Sequence, residues 1–88
     1  MDKIILSNGK EIEFKNLDYI GGQHIRLKLF KEYTIDEIEN VMTTENLSNV
    51  KFSNFKSDPY GKYSNLKLES ISKIIKTKEI IVNLIIAQ

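Results

Sequence analysis

Few side chains in this sequence are equipped for chemistry. One histidine, His24, could act as a general base, and three carboxylates, Asp36, Glu37 and Glu39, crowd into four consecutive positions. A histidine base needs a hydroxyl or thiol within hydrogen-bond reach that it can deprotonate. His24 stands in "HIRLKL", where Ile25, Leu27 and Leu29 alternate with His24, Arg26 and Lys28. That alternation places it on the polar side of a strand, with no nucleophile signalled beside it, so it reads as a surface histidine. The carboxylates follow Thr34 in "TIDEIE", in the first turns of a helix, where negative charge complements unpaired amides. They read as helix capping first and as an acidic partner-binding surface second. With no cysteine and one histidine, the chain has no disulfide framework, no Cys-based zinc site and no His-pair metal motif. No catalytic residue, metal ligand set or cofactor is expected, and the chain reads as non-enzymatic.

Gly21-Gly22 lacks the following helix and the further glycines or lysine of a phosphate-binding loop, so it reads as a turn. Thirteen basic residues against twelve acidic ones give a net charge of +1, with Arg26 the one arginine. A nucleic-acid binder of this size would show a basic excess and several arginines, so nucleic acid is disfavoured as a partner. Lys73, Lys76 and Lys78 form a local cluster that reads as a solvated loop. No run of eighteen apolar residues occurs, and "IIVNLIIA" is strand-sized. No membrane span is expected. "SDPYGKYSNLKL" joins the one proline to Tyr60 and Tyr63, and Asp58-Pro59-Tyr60-Gly61 has the composition of a β-turn. Tyrosine suits both an interface and internal packing. The candidate partner-binding residues are therefore Tyr60, Tyr63, Asp36, Glu37 and Glu39.

The elements that must position these residues can be read in order. Eighty-eight residues make one domain, 1–88, because a chain this short buries only about 60–65% of its unfolded surface. With so small a core and no disulfide, self-association is an expected route to stability. "KIILSNGKEIEFK" predicts a hairpin turning at Asn8-Gly9 through a two-residue loop, with Ile12 and Phe14 on one face and Glu11, Glu13 and Lys15 on the other. "NLDYIGGQ" breaks that pattern before the strand of His24 to Leu29. Thr34 and Glu37 have capping-box spacing, Tyr33 and Ile38 that of a hydrophobic staple, and Ile35, Ile38, Val41 and Met42 make one apolar stripe. Val50 and Phe52 share a strand face, with Phe55 out of phase. Leu66 and Leu68 alternate with Asn65, Lys67 and Glu69, "SKIIKTKE" is a connection, and "EIIVNLIIAQ" is apolar on both parities. This last strand is expected at the centre of the sheet, covered on both sides, or in a multimer interface. The predicted fold is α+β, a mostly antiparallel sheet of about six strands with one short helix, in the order β-β-β-α-β-β-β.

"NGKEIEF", "TIDEIENVM", "NLSNVKF", "YGKYSNLKLESI" and the terminal "EIIVNLIIAQ" together resemble small proteins of phages and prophages of Gram-positive bacteria. In that family a "Y-x-x-Y/F-x-x-L" element precedes a last strand of the form "ITVxL". Tyr60, Tyr63 and Leu66 match the first, and Ile81, Val82 and Leu84 approximate the second. The resemblance spans most of the chain, and its matching positions are structural. It implies a tail-region accessory protein, present in the host cytoplasm when made and then in the virion, that works by protein contacts with itself or with tail proteins. The alternative within the same resemblance is an inhibitor of a host defence protein, anti-CRISPR-like, that masks a surface. No catalytic residue transfers from it.

Overall fold

In the first hairpin, burial sets the register. The computed structural model describes residues 2–53 and 64–87; the expected turn at Asp58–Gly61, with Tyr60, Tyr63 and Phe55, lies outside them. Strand β1 (Lys3–Ile5) pairs antiparallel with β2 (Glu11–Gly21), placing Ile4 opposite Ile12 and Lys3 opposite Glu13. A two-residue loop on Asn8-Gly9 would shift this pairing by one and set Ile4 against Glu13, on one face. The chain instead uses a three-residue loop. Leu6 N–H donates to Lys10 O at 2.8 Å and Gly9 N–H to Leu6 O at 2.9 Å, with Gly9 at φ +90. Asn8 keeps a negative φ, and its side chain accepts from Lys10 N at 2.9 Å. This corrects the expected two-residue turn: the extra residue keeps Ile4, Ile12 and Phe14 all inside, each at most 1% exposed.

Strand β2 runs further than its sequence suggested, through "NLDYIG" to Gly21, because bulges at Lys15 and Ile20 absorb the break in alternation. Its partner β3 (His24–Leu29) buries Ile25, Leu27 and Leu29 completely, while His24 and Arg26 are exposed. Gly21 and Gly22, at φ +102 and +59, supply the left-handed conformations of the turn between them.

Helix α1 (Ile35–Val41) starts at a complete capping box: Glu37 N donates to Thr34 Oγ1 at 3.2 Å and Thr34 N to Glu37 Oε1 at 2.8 Å. At the other end Asn46 Nδ2 donates to the Val41 carbonyl at 2.8 Å. A helix of seven residues is not stable alone. Ile38 and Met42 are buried, and Ile35, Val41 and Tyr33 pack against the same core.

After the helix come β4 (Lys51–Ser53), β5 (Leu66–Lys73) and β6 (Ile80–Ile86), completing a six-stranded antiparallel sheet ordered β4-β1-β2-β3-β6-β5. Although β4 follows the helix in the chain, it lies at the sheet edge beside β1. The sheet curls until its ends approach: Val50 N donates to Ser64 O at 2.8 Å and Leu66 N to Leu47 O at 2.9 Å. Inside the curl, Phe14 and Phe52 meet edge to face at 6.0 Å. Strand β5 extends into the predicted connection as far as Lys73, then turns through Lys78, the one described non-glycine residue with positive φ (67). Strand β6 lies inside the sheet between β3 and β5, one of the placements its apolar composition allowed. Ile80, Val82, Leu84 and Ile86 are buried, and Ile81, Asn83 and Ile85 on the opposite parity are half-buried. No second layer covers that parity among the described residues. Ile85 is flanked in register by His24 and Lys67, and Ile81 by Lys28 and Ser72. No described helix is long and apolar enough to cross a membrane.

A Cβ added at Gly9 meets nothing within 4 Å, so Gly9→Ala tests backbone conformation alone. It is expected to cost about 1–2 kcal/mol, read from urea unfolding; an unchanged midpoint would contradict the positive φ at Gly9.

Candidate functional site

Where β3 ends, the chain bends sharply, and this bend builds an open concavity. Tyr33 N–H donates to Phe30 O at 3.3 Å, closing a turn over Phe30, Lys31, Glu32 and Tyr33 just before the helix cap. The departure of β3 leaves Glu13 N–H on β2 without a strand partner, and the Tyr33 hydroxyl replaces it, accepting that N–H at 2.9 Å. A pocket of about 250 Å³ opens between the two segments, lined by Glu13, Phe30, Glu32 and Tyr33. Two acidic and two aromatic residues thus line it. Glu13 and Tyr33 are half-buried and Glu32 is exposed.

Charges around the pocket are paired selectively. The bulge at Lys15 redirects that side chain across the end of β3, where its ammonium lies 6.0 Å from the Phe30 ring centroid and bonds Glu79. Glu79, the one buried charged residue among those described, also accepts from Thr77 Oγ1 at 3.0 Å. The hydrogen bond from Lys15, then that from Thr77, holds its carboxyl below the usual carboxylate range. Lys3 bonds Glu11 at 2.8 Å, and that hydrogen bond, followed by the Glu11 charge, raises its ammonium pKa. Glu13 and Glu32 form no salt bridge among the described residues.

A second surface lies on the outer face of β3, β6 and β5. Arg26 Nε donates to Asn83 Oδ1 at 3.1 Å and Asn83 Nδ2 to Ser70 Oγ at 2.9 Å, a polar chain across three strands. His24 Nδ1 lies 3.5 Å from Glu69 Oε1. Beyond these, Tyr19 and Ile20 at the β2–β3 end are about half exposed, and Ile75 at the β5–β6 turn is 84% exposed. Isolated exposed apolar side chains like these are ordinary.

Of the residues singled out in the sequence, Asp36, Glu37 and Glu39 are exposed on the helix, and Glu37 is committed to the cap. Tyr60 and Tyr63 lie outside the described residues. Sequence reasoning missed the pocket residues. "FKEY" does cluster two aromatics about an acid just before a helix, but Glu13 joins them only through the β2–β3 register. Among the described residues, no three His, Cys, Asp or Glu side chains come together as a metal site. Comparison with protein-family models, curated proteins and solved structures finds no match.

Tyr33→Phe removes the acceptor for the Glu13 amide and is expected to cost about 1 kcal/mol in urea unfolding, the lower end for a part-buried donor. Glu79 yields a pH test. A carboxylate whose folded pKa is depressed stabilises fully above its unfolded value, near 4.3, and that stabilisation disappears as pH falls through the folded value. Wild type should therefore exceed Glu79→Gln in thermal midpoint at pH 7, the gap closing as pH falls below about 4; a gap that widens in acid contradicts this assignment.

Proposed function

We propose that this chain is a non-enzymatic accessory module that acts by binding protein, with the Glu13–Phe30–Glu32–Tyr33 pocket as part of its contact surface. The pocket carries the reading: two aromatic and two acidic residues, the acids without salt bridges among the described residues, are held on a strand and a hydrogen-bonded turn. Aromatic side chains are enriched at protein interfaces, and a prefixed geometry lowers the ordering cost of binding. The resemblance to phage and prophage proteins supports a tail-region role, with host cytoplasm and virion as locations. A second reading, inhibition of a host defence protein by acidic mimicry, is favoured by the exposed Asp36 and Glu39 on the helix that follows the pocket.

Mass spectrometry of purified virions and assembly intermediates, run beside affinity capture from infected-cell lysate, separates the two. The tail-region role predicts the protein in particles or intermediates. Its absence from both, together with near-stoichiometric recovery of one host protein, selects the inhibitor.

A further inference from the structure

The turn between β5 and β6 combines exposed apolar surface with positive charge. We propose that its tip, Ile75 with Lys73, Lys76 and Lys78, docks on an anionic lipid bilayer, the isoleucine entering the interface and the lysines engaging the headgroups. The tip shares no residue with the pocket, and this inference is independent of the protein-binding reading above.

Two departures from ordinary turn chemistry meet here. Ile74 N–H donates to Glu79 O and Lys78 N–H to Ile74 O, both at 2.8 Å, which fixes the backbone of residues 74–79. Turns favour glycine, asparagine, aspartate and serine. In this one Ile75 is 84% exposed, the most of any large apolar residue among those described, while its neighbour Ile74 is half-buried. Lys78 holds φ +67, a left-handed conformation that glycine would adopt without strain. A single exposed apolar side chain is ordinary. An exposed isoleucine and a strained lysine in one short, pinned turn are a different matter, because departures from local preference that packing does not offset concentrate at functional sites.

Charge supplies the independent observation. Lys73, Lys76 and Lys78 are exposed and form no salt bridge among the described residues. Within residues 70–79 the one acid is Glu79, which is buried and bonded to Lys15 and Thr77. The ammonium charges that act on it are those of Lys15 and Lys28. Glu69, further along β5, faces His24, and the neighbouring turn after β3 adds Lys31 and Glu32, one of each sign. Three unpaired positive charges thus lie within three residues of the exposed isoleucine. That combination selects the occupant. Nucleic-acid phosphates would satisfy the lysines and leave Ile75 in water, and a folded protein would need a notch shaped to the tip. An anionic bilayer supplies both partners at once, negative headgroups above a deformable apolar layer, and the lysine stems let the ammonium groups stay among the headgroups while Ile75 enters deeper. One isoleucine and three lysines give a reversible contact rather than an anchor.

The experiment mixes the whole ¹⁵N-labelled chain with vesicles of phosphatidylglycerol and phosphatidylcholine in equal parts, with phosphatidylcholine vesicles, and separately with poly-glutamate and duplex DNA. Flotation is expected to recover the protein with anionic vesicles, half-bound at about 1–10 mM lipid, and about tenfold less with neutral ones. Binding should weaken as salt rises, and amide signals of residues 74–78 should broaden first. Ile75→Asn should weaken binding about tenfold or more, and Lys73→Gln/Lys76→Gln/Lys78→Gln about a hundredfold. All four side chains are exposed, so urea midpoints confirm that folding is kept, and Ile75→Asn alone serves if the triple variant fails to fold. The proposal is overturned if anionic vesicles bind no better than neutral ones, if Ile75→Asn binds as well as wild type, if the broadening falls elsewhere, or if poly-glutamate or DNA engages the turn more tightly than the vesicles do. Because the vesicles contain no partner protein, their binding or its failure leaves the protein-binding reading to its own test.

Discussion

Alternating side-chain direction on β3 is the constraint on which the remaining structure depends. Ile25, Leu27 and Leu29 are fully buried between β2 and β6, while His24, Arg26 and Lys28 point the other way. A one-residue slip would exchange the two sets. Each lost aliphatic side chain would cost roughly 1.5–3 kcal/mol in burial, and charges would enter the core in exchange. Registry on both sides follows: Leu27 faces Leu17 on one neighbour and Val82 on the other. Where local spacing disagrees with that register, the chain inserts a residue. The bulges at Lys15 and Ile20 and the three-residue loop ending at Gly9 are all corrections of this kind.

The pocket is a by-product of the same constraint. Phe14 pairs with Leu29, the last residue of β3, so the amide of Glu13 faces the place where the ladder ends. A half-buried amide needs an acceptor, and the Tyr33 hydroxyl supplies one. Once Tyr33 is anchored there, the turn holds Phe30 and Glu32 beside Glu13. The bulge carries Lys15 over Phe30 to Glu79, and among the described residues Glu13 and Glu32 form no salt bridge, although the Glu13 charge also acts on Lys3. Structural economy at a strand end thus concentrates aromatic surface and negative charge in one place.

Much of the fold was legible because it rests on local periodicity and local capping. Ile12 with Phe14, the His24–Leu29 alternation, the Thr34/Glu37 box and the apolar stripe through Ile38 and Met42 are each contained within a few residues of sequence. The Asn8-Gly9 dipeptide misled on loop length, since turn preference concerns one or two residues whereas register is decided by all the buried pairs beyond them. "NLDYIG" and "SKIIK" read as breaks because a bulge disrupts parity in sequence while preserving pairing in space.

The sequence by itself determined which faces are apolar, where the helix starts and that the final strand is apolar on both parities, because side-chain chemistry and period act at short range. Only the tertiary structure decided that β4 sits beside β1, that the sheet curls until Leu47 and Val50 meet the start of β5, and that Glu13 shares a cavity with Phe30, Glu32 and Tyr33. Those arrangements depend on contacts between segments far apart in the chain, and their free energies arise only once the register between strands is fixed.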